Sequence, residues 1–214
     1  MIVVPFRTPE DHARAVPGVA EHLRSGGLIA YPTETVYGLG CMLDPSALDR
    51  LAEMKGREGV KPFLLLVSDR APAEGLEWNG AARRLAEAFW PGPLTLVLRA
   101  ERLYPERVRA ASGTVAVRAT SHPGVRTLLD TVGEPITSTS VNLPGEPPAS
   151  TLEQVVQVIE SLGAPVEPWV LDGGPLPASA PSTIVDCSVI PPRILRTGAI
   201  SRETLRSVLG EIND

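Results

Sequence analysis

The chain has 214 residues, 43% of them hydrophobic and 21% charged, which is typical of a single globular domain over residues 1–214. Its formal net charge of −5 disfavours a protein that coats nucleic acid, because such a protein needs a broadly basic surface. The apolar runs are too short for a membrane helix, and the N-terminus has no leader pattern, so we expect a cytoplasmic protein. The cysteines and histidines show no metal-ligand spacing.

The first half of the chain alternates helices with apolar strands. Thr8 before Pro9 predicts a helix start, Pro17 predicts an interruption of that helix, and Gly26 with Gly27 predicts its end. The further predicted elements are a strand at 28–31, a helix at 44–56 that begins at Asp44, a strand at 63–67, a helix at 79–92 and a strand at 94–98.

The second half of the chain carries shorter strands. The predicted elements are a strand at 114–119, a helix at 122–132, a strand within 135–142, a helix at 151–163, strands at 169–172, 182–186 and 193–196, and a last helix that begins after Ser201. Helices that alternate with strands early and short strands that cluster late predict one mixed parallel and antiparallel sheet flanked by helices. The predicted fold class is α/β, close to its border with α+β.

The segment PTETVYGLG, residues 32–40, follows the predicted strand at 28–31 and contains an unusual set of polar side chains. A turn needs Gly, Asn or Asp for its backbone geometry, but it does not need a run of Thr33, Glu34, Thr35 and Tyr37. We therefore predict that this segment lines a binding site.

Polar residues also lie at or after the ends of several other predicted strands. They are Arg118, Ser138, Ser140, Asn142, Ser182 and Arg196. Since ligands bind beyond the strand ends of such sheets, these residues could converge on one concave site. Taken singly, each serine is explained equally well by a local turn or cap, and each arginine by a surface ion pair.

Of the 20 basic residues only Lys55 and Lys61 are lysines, and both lie in KGREGVKP. A general preference for arginine would explain this too, but a compact ammonium group is also suited to phosphate. Neither lysine lies on an apolar face, so we expect their replacement to reduce activity and leave thermal stability unchanged.

The chain has no P-loop, GxGxxG or GxSxG motif. The predicted site contains cations and hydroxyl groups but no nucleophile. Such a site indicates catalysis by charge stabilisation, as in nucleotidyl transfer.

Seven sequence blocks resemble, in their order, the YrdC-like threonylcarbamoyl-adenylate synthases, in the short form without an extra C-terminal domain. The blocks span residues 18–200 and read GGLIAYPTETVYGLG, KGREGVKP, WPGPLTLVL, VAVRATSHP, STSVNLPG, STIVD and ILRTGAI. The resemblance implies a twisted mixed sheet with a concave basic face. It also implies an ATP-dependent nucleotidyltransferase that joins L-threonine, bicarbonate and ATP into threonylcarbamoyl-adenylate and releases pyrophosphate. The product would serve a downstream transferase complex that makes N6-threonylcarbamoyladenosine at position 37 of tRNA.

The same resemblance implies roles for individual residues. Lys55 and Arg57 would be catalytic through charge stabilisation, without a covalent nucleophile. ATP would be bound by Lys55, Arg57, Lys61, Thr114, Ser140, Asn142 and Arg196, and threonine by Thr33, Arg118, Ser138 and Ser182. Mg²⁺ would be held by the ATP phosphates and not by protein carboxylates. The residues that depart from the common family pattern are Glu58, Pro144 and Thr197, and Glu58 adds a negative charge beside the phosphate cations.

Two alternative functions stay open at this point. The first is a relative that forms carbamoyl-adenylate, although 214 residues and two cysteines leave no room for its acylphosphatase-like and zinc modules. The second is a module of the same fold that binds double-stranded RNA or tRNA without catalysis. The negative net charge weakens this second alternative, but a local basic patch would still permit weak RNA binding. We expect no membrane partner.

Overall fold

Ten strands form one mixed sheet in a computed structural model, which describes residues 1–56, 61–68, 73–101, 104–163 and 168–213. The strands are β1 Val3–Pro5, β2 Ile29–Tyr31, β3 Gly38–Gly40, β4 Leu64–Val67, β5 Leu94–Arg99, β6 Thr114–Ala119, β7 Ile136–Ser140, β8 Trp169–Asp172, β9 Thr183–Asp186 and β10 Arg193–Arg196. The helices are α1 Pro9–Arg24, α2 Pro45–Met54, α3 Gly80–Phe89, α4 Pro123–Val132, α5 Leu152–Leu162 and α6 Arg202–Leu209.

The strand order is β1-β8-β2-β3-β7-β4-β6-β5-β9-β10. Strands β1 and β8, β2 and β8, β4 and β6, and β5 and β9 pair in parallel, whereas the other neighbours are antiparallel. The predicted mixed sheet flanked by helices is therefore confirmed.

Helix starts follow the local signals in the sequence. Thr8 accepts a hydrogen bond from the backbone of Asp11, whose side chain bonds back to the Thr8 N–H, so α1 begins with a complete capping box. Asp44 caps α2 in the same way by accepting from Ala47 N, at 2.9 Å. Ser201 caps α6, as predicted.

The predicted interruption of α1 at Pro17 is wrong, because the helix runs unbroken from Pro9 to Arg24. Pro17 and Ala13, four residues earlier, both lie on the exposed side of α1, where water can satisfy the carbonyl that loses its partner. The opposite side of the helix is buried through Val16, Val19 and Leu23. Packing of that side outweighs the loss of one hydrogen bond.

The two faces of the sheet bury different helices. Leu65 and Val67 belong to the larger core, together with residues of α2, α3, α5 and α6, whereas Leu66 belongs to a second core beneath α1 and α4. Because side chains alternate along a strand, this division assigns each core to one face. The α1–α4 layer covers only part of its face, and the rest of that face carries the candidate site.

Strand β3 was not predicted, because its sequence is Gly-Leu-Gly. A Cβ atom on Gly40 would lie 1.9 Å from the backbone oxygen of Thr137, so only glycine allows the β3 and β7 backbones to approach this closely. Strand β1 was also not predicted and pairs in parallel with β8 at one edge of the sheet.

We expect Gly40→Ala to destabilise the chain by about 1–3 kcal/mol or more, since the added methyl group clashes with backbone that cannot rotate away. Gly18→Ala is the matched control, because nothing lies within 4 Å of its Cβ position and alanine favours an exposed helix. Urea unfolding of both variants measures the difference. A Gly40→Ala variant as stable as the wild type would contradict the close approach of β3 to β7.

Candidate functional site

The candidate site lies on the part of the sheet face that α1 and α4 leave uncovered. Leu66 is paired with Arg118 on one side and with Ile136 on the other, so these three residues share a face. Toward the start of β4 and the end of β7, the same face continues with the pair Leu64 and Ser138. The face therefore changes from apolar beneath the helices to polar beyond them.

A cavity of about 230 Å³ opens on this polar part of the face. The predicted residues that line it are Thr33, Lys61, Arg118, Ser138, Ser140, Ser182 and Arg196. The predicted segment 32–40 also contributes Thr35, Val36 and Gly38 to the lining, whereas Thr95 and Ile184 are lining residues that the prediction did not include. The predicted convergence of strand ends on one concave surface is thus seen in the structure.

A larger cavity, of about 620 Å³, lies elsewhere and is lined by Trp78, Trp90, Arg126 and Asp130, among others. No predicted site residue is among its described lining residues. Its charged residues are one arginine and one aspartate, whereas the smaller cavity gathers one lysine and two arginines. The chemistry of the lining, and not the volume, identifies the smaller cavity as the candidate site.

Arg118 is the most buried cation of the site, with a side chain 6% exposed. Its Nη2 atom lies 2.8 Å from Glu34 Oε1 and donates a hydrogen bond to Thr35 Oγ1 at 3.1 Å. Its Nε atom donates to the backbone oxygen of Gly92 at 3.2 Å. These contacts hold the guanidinium in one orientation at the edge of the cavity.

The carboxylate of Glu34 is kept ionised by its neighbours. Burial acts to raise the pKa of Glu34, but the charge of Arg118 and a hydrogen bond from Thr120 outweigh burial and hold that pKa below its ordinary value. The hydrogen bond from Thr120 Oγ1 to Glu34 Oε2 measures 2.5 Å.

Arg196 reaches the cavity from β10 and is held by Ser182. Its Nε and Nη2 atoms donate to the Ser182 backbone oxygen at 3.0 and 2.8 Å, and Nη2 also donates to Ser182 Oγ at 3.1 Å. Burial lowers the pKa of Arg196, and repulsion from Arg118 lowers it further. Two guanidinium groups that repel each other in one cavity indicate a site for an anion.

Lys55 stands beside the cavity and ties α2 to the end of β7. Its Nζ atom donates to the backbone oxygens of Ser140 and Asn142 at 3.1 and 2.7 Å, and to Asn142 Oδ1 at 3.2 Å. Lys55 is only 8% exposed. The expectation that Lys55 could be replaced without loss of stability treated it as a surface residue, and its burial favours the opposite outcome, because its removal would leave partly buried oxygens without a charged donor.

Thr33 shapes the loop that follows β2. Its hydroxyl donates to the Val36 backbone oxygen at 2.7 Å and accepts from the backbone N–H groups of Thr35 and Val36, each at 3.2 Å. The single hydroxyl hydrogen is thus used within the turn. The predicted contact of Thr33 with threonine stays a prediction, and in this conformation the hydroxyl could only accept a bond from a ligand.

The remaining predicted residues lie around the cavity or outside the described part. Asn142 Oδ1 accepts from Ser140 Oγ at 2.6 Å, so these two predicted residues are joined directly. Thr114 lies on the same face of β6 as Arg118 but is not among the described lining residues. Arg57 and Glu58 lie outside the described residues.

Sequence reasoning missed Thr95 and the part of the segment 173–182 that precedes the predicted residue Ser182. Thr95 Oγ1 lies 2.9 Å from Ser182 Oγ, and a single threonine within the otherwise apolar LTLVL strand was the available signal. The segment 173–182 has no helix or strand and connects β8, second from one edge of the sheet, to β9, second from the other edge. It passes the cavity, where Ser179 Oγ donates to the backbone oxygen of Thr35 at 3.4 Å and Pro181 joins the lining.

The described residues contain no cluster of three or more His, Cys, Asp or Glu side chains that could hold a metal ion. None of the helices found among them is long and apolar enough to cross a membrane.

Comparison with known proteins gives consistent matches. A family model, Sua5/YciO/YrdC, described as telomere recombination, matches residues 21–198. A threonylcarbamoyl-AMP synthase of Pyrococcus abyssi is 37% identical over 196 residues, which are 90% of this chain and 56% of that protein. A threonylcarbamoyl-AMP synthase of Thiobacillus denitrificans is 40% identical over 203 residues, which are 91% of this chain and 98% of that protein.

A crystal structure of P. abyssi Sua5 complexed with L-threonine has a TM-score of 0.89 and 33% sequence identity to this chain. The match covers 100% of this chain and 62% of that chain. The chain therefore spans a little more than half the length of the Pyrococcus relatives and nearly the full length of the Thiobacillus relative.

We expect Lys55→Ala to lower the free energy of unfolding by about 1–3 kcal/mol, because two partly buried backbone oxygens lose a charged donor. For a chain of this size that loss corresponds to a drop in Tm of about 2–12 °C. Lys61→Ala is the control, since Lys61 is exposed and should change Tm far less. Thermal unfolding followed by circular dichroism measures both variants, and equal Tm values for Lys55→Ala and the wild type would contradict the assignment.

Proposed function

Because the chain belongs to the Sua5/YciO/YrdC family, we propose that it is a threonylcarbamoyl-AMP synthase, which converts L-threonine, bicarbonate and ATP into threonylcarbamoyl-AMP and pyrophosphate. The observation that carries the proposal is the convergence of Arg118, Ser138, Ser182, Lys61 and Arg196 on one cavity. The same chain superimposes over its full length on a relative that was crystallised with L-threonine.

The reaction needs positioning and charge stabilisation more than a protein nucleophile. The threonine amine attacks the carbon derived from bicarbonate, and a carbamate forms with loss of water. A carbamate oxygen then attacks the α-phosphorus of ATP, and pyrophosphate leaves. Negative charge therefore accumulates on the phosphates, where fixed cations stabilise it.

Arg118 is suited to the carboxylate of threonine. Its Nε and Nη2 atoms are occupied by Gly92, Glu34 and Thr35, but no hydrogen bond from Nη1 to a described residue is found. In the proposed complex Nη1 would donate to the substrate carboxylate. Ser138 and Ser182 lie in the same lining and would complete the threonine site.

Lys61 and Arg196 are suited to the phosphates of ATP. Both line the cavity, and the pair Ser140 and Asn142 lies beside them. Lys55 holds the backbone of that pair, so its part in the proposed site combines structural support with a positive charge. Arg57 and Thr114 complete the proposed nucleotide contacts, as the resemblance implies.

Mg²⁺ belongs to the proposal as a cation that arrives with ATP. The described residues offer no cluster of acidic side chains for a protein-held metal, and Mg²⁺ commonly binds through substrate phosphates with several waters retained. The proposed product would be used by the tRNA threonylcarbamoyl transferase complex, and the cytoplasmic location and weak RNA binding predicted from the sequence remain part of this proposal.

The direct test is pyrophosphate release from ATP by the purified chain. We expect release only when L-threonine, bicarbonate and Mg²⁺ are all present. Release with carbamoyl phosphate in place of threonine and bicarbonate would favour the carbamoyl-adenylate alternative. RNA binding without any pyrophosphate release would favour the binding module.

Lys61→Ala should reduce kcat/KM by about 10–150-fold, because it removes a charge-assisted hydrogen bond to a phosphate. Arg84→Ala, at an exposed position of α3, is the matched loss of one positive charge and should leave kcat/KM within about twofold of the wild type. The assay is threonine-dependent pyrophosphate release. If both variants behave alike, Lys61 does not contact ATP.

Threonine should be preferred over serine by about 10–200-fold in kcat/KM, the usual value of one methyl contact in an apolar pocket. Val36 and Ala116 supply apolar surface in the lining of the cavity. The two amino acids are compared in the same assay at saturating ATP. Equal activity with serine would show that the methyl group of threonine is not contacted.

A further inference from the structure

Glu34 lies next to the cavity without lining it. Its side chain is 19% exposed and contacts Thr120 and Arg118, and Arg118 is the partner that lines the cavity. Oε1 is buried and lies 2.8 Å from Arg118 Nη2, an ion-pair distance. Through this contact the carboxylate can control an arginine of the cavity lining although it does not line the cavity itself.

Thr120 fixes the other oxygen of this carboxylate. Its hydroxyl donates to Glu34 Oε2 at 2.5 Å and accepts from the backbone N–H of His122 at 3.2 Å. Thr120 is 1% exposed and directly follows β6, so it cannot move without the strand. The end of β6 therefore fixes Thr120, Thr120 fixes Glu34, and Glu34 in turn orients Arg118.

The charge around the cavity depends on this one carboxylate. Arg118 and Arg196 both line the cavity, and no aspartate or glutamate is among its described lining residues. The only carboxylate in ion-pair contact with either arginine, among the described residues, is Glu34. With Glu34 ionised, the lysine and two arginines of the lining together with the carboxylate carry a net charge of about +2, and without the carboxylate about +3.

We propose that Glu34 is a positioning residue that orients and partly neutralises Arg118, so that this end of the cavity accepts a zwitterionic amino acid and disfavours a doubly charged oxyanion such as sulfate or inorganic phosphate. The proposal deepens the proposed function and rests on it, because it assumes that Arg118 binds the amino-acid carboxylate. In this role Glu34 and Thr120 act through Arg118. Neither residue contacts the substrate or takes part in the chemistry.

The two parts of this role affect two ligands in opposite directions. Loss of the Glu34 charge strengthens the attraction of the cavity for a dianion, since an added net positive charge acts at short range in a partly buried site. Loss of the fixed orientation weakens the binding of threonine, because Nη1, the nitrogen that would donate to the substrate carboxylate, is then no longer held in place. General damage to the fold would weaken the binding of both ligands.

The experiment measures pyrophosphate release at saturating ATP and bicarbonate, with L-threonine varied against sodium sulfate at constant ionic strength. Saturating ATP keeps sulfate out of the phosphate site. The variants are Glu34→Gln, Thr120→Val and Thr120→Ser, with Glu87→Gln, at an exposed position of α3, as the matched control.

For Glu34→Gln we expect the KM for threonine to rise about tenfold and the Ki of sulfate against threonine to fall about tenfold. The kcat value should stay within about threefold, because the lost interaction acts equally in the ground state and the transition state. Thr120→Val should also raise the KM for threonine and lower the Ki of sulfate, by a smaller factor than Glu34→Gln. Thr120→Ser keeps the hydroxyl and should resemble the wild type, as should Glu87→Gln.

The proposal would be overturned if the KM for threonine and the Ki for sulfate rose together in Glu34→Gln and Thr120→Val. It would also be overturned if both constants stayed unchanged in these two variants. A wild-type chain without threonine-dependent pyrophosphate release would instead overturn the proposed function. In that case sulfate binding is measured by calorimetry, and tighter binding to Glu34→Gln than to the wild type would still support the neutralising role. Unchanged sulfate affinity would overturn that role as well.

Discussion

The register among β4, β6 and β7 determines both the core and the site. Leu66 is paired with Arg118 and with Ile136, so an apolar core position and the central cation of the site point to the same side of the sheet. A slip of one residue would turn Arg118 into the apolar layer that contains Leu65 and Val117. The same strand pairing therefore buries the core and presents the cations, and neither can change without the other.

Arg118 and Arg196 can lie in one cavity because neutral oxygens accept several of their hydrogen bonds and Glu34 is the only carboxylate, among the described residues, in ion-pair contact with either of them. Arg118 donates to the backbone oxygen of Gly92 and to Thr35, and Arg196 donates to the backbone and hydroxyl oxygens of Ser182. A neutral acceptor fixes a guanidinium without cancelling its charge. The cavity thus keeps a positive potential although its arginines are hydrogen-bonded, which is the condition for attracting an anionic ligand.

Local signals in the sequence predicted most elements of the fold, and contacts distant in sequence explain the failures. Caps and prolines act within a few residues, so the helix starts at Thr8, Asp44 and Ser201 were predicted correctly. Strand β3 exists only through pairing with β2 and β7, which no local pattern reveals. The strand-end rule predicted which side chains would converge, but the burial of Lys55 depends on acceptors that lie 85 and 87 residues away.

The segment 173–182 limits how flat the sheet can become. It joins β8 to β9, which are separated by seven strand spacings, or about 34 Å measured along the sheet at ~4.8 Å each. Ten residues reach at most about 33–36 Å when fully extended. Both ends are tied down, by Tyr37 Oη to the Gly174 oxygen at 2.8 Å and by Ala199 N to the Pro181 oxygen at 2.9 Å. A connection shorter by two residues would reach only about 26–29 Å, less than the flat-sheet distance, so it would be compatible only with a curved sheet.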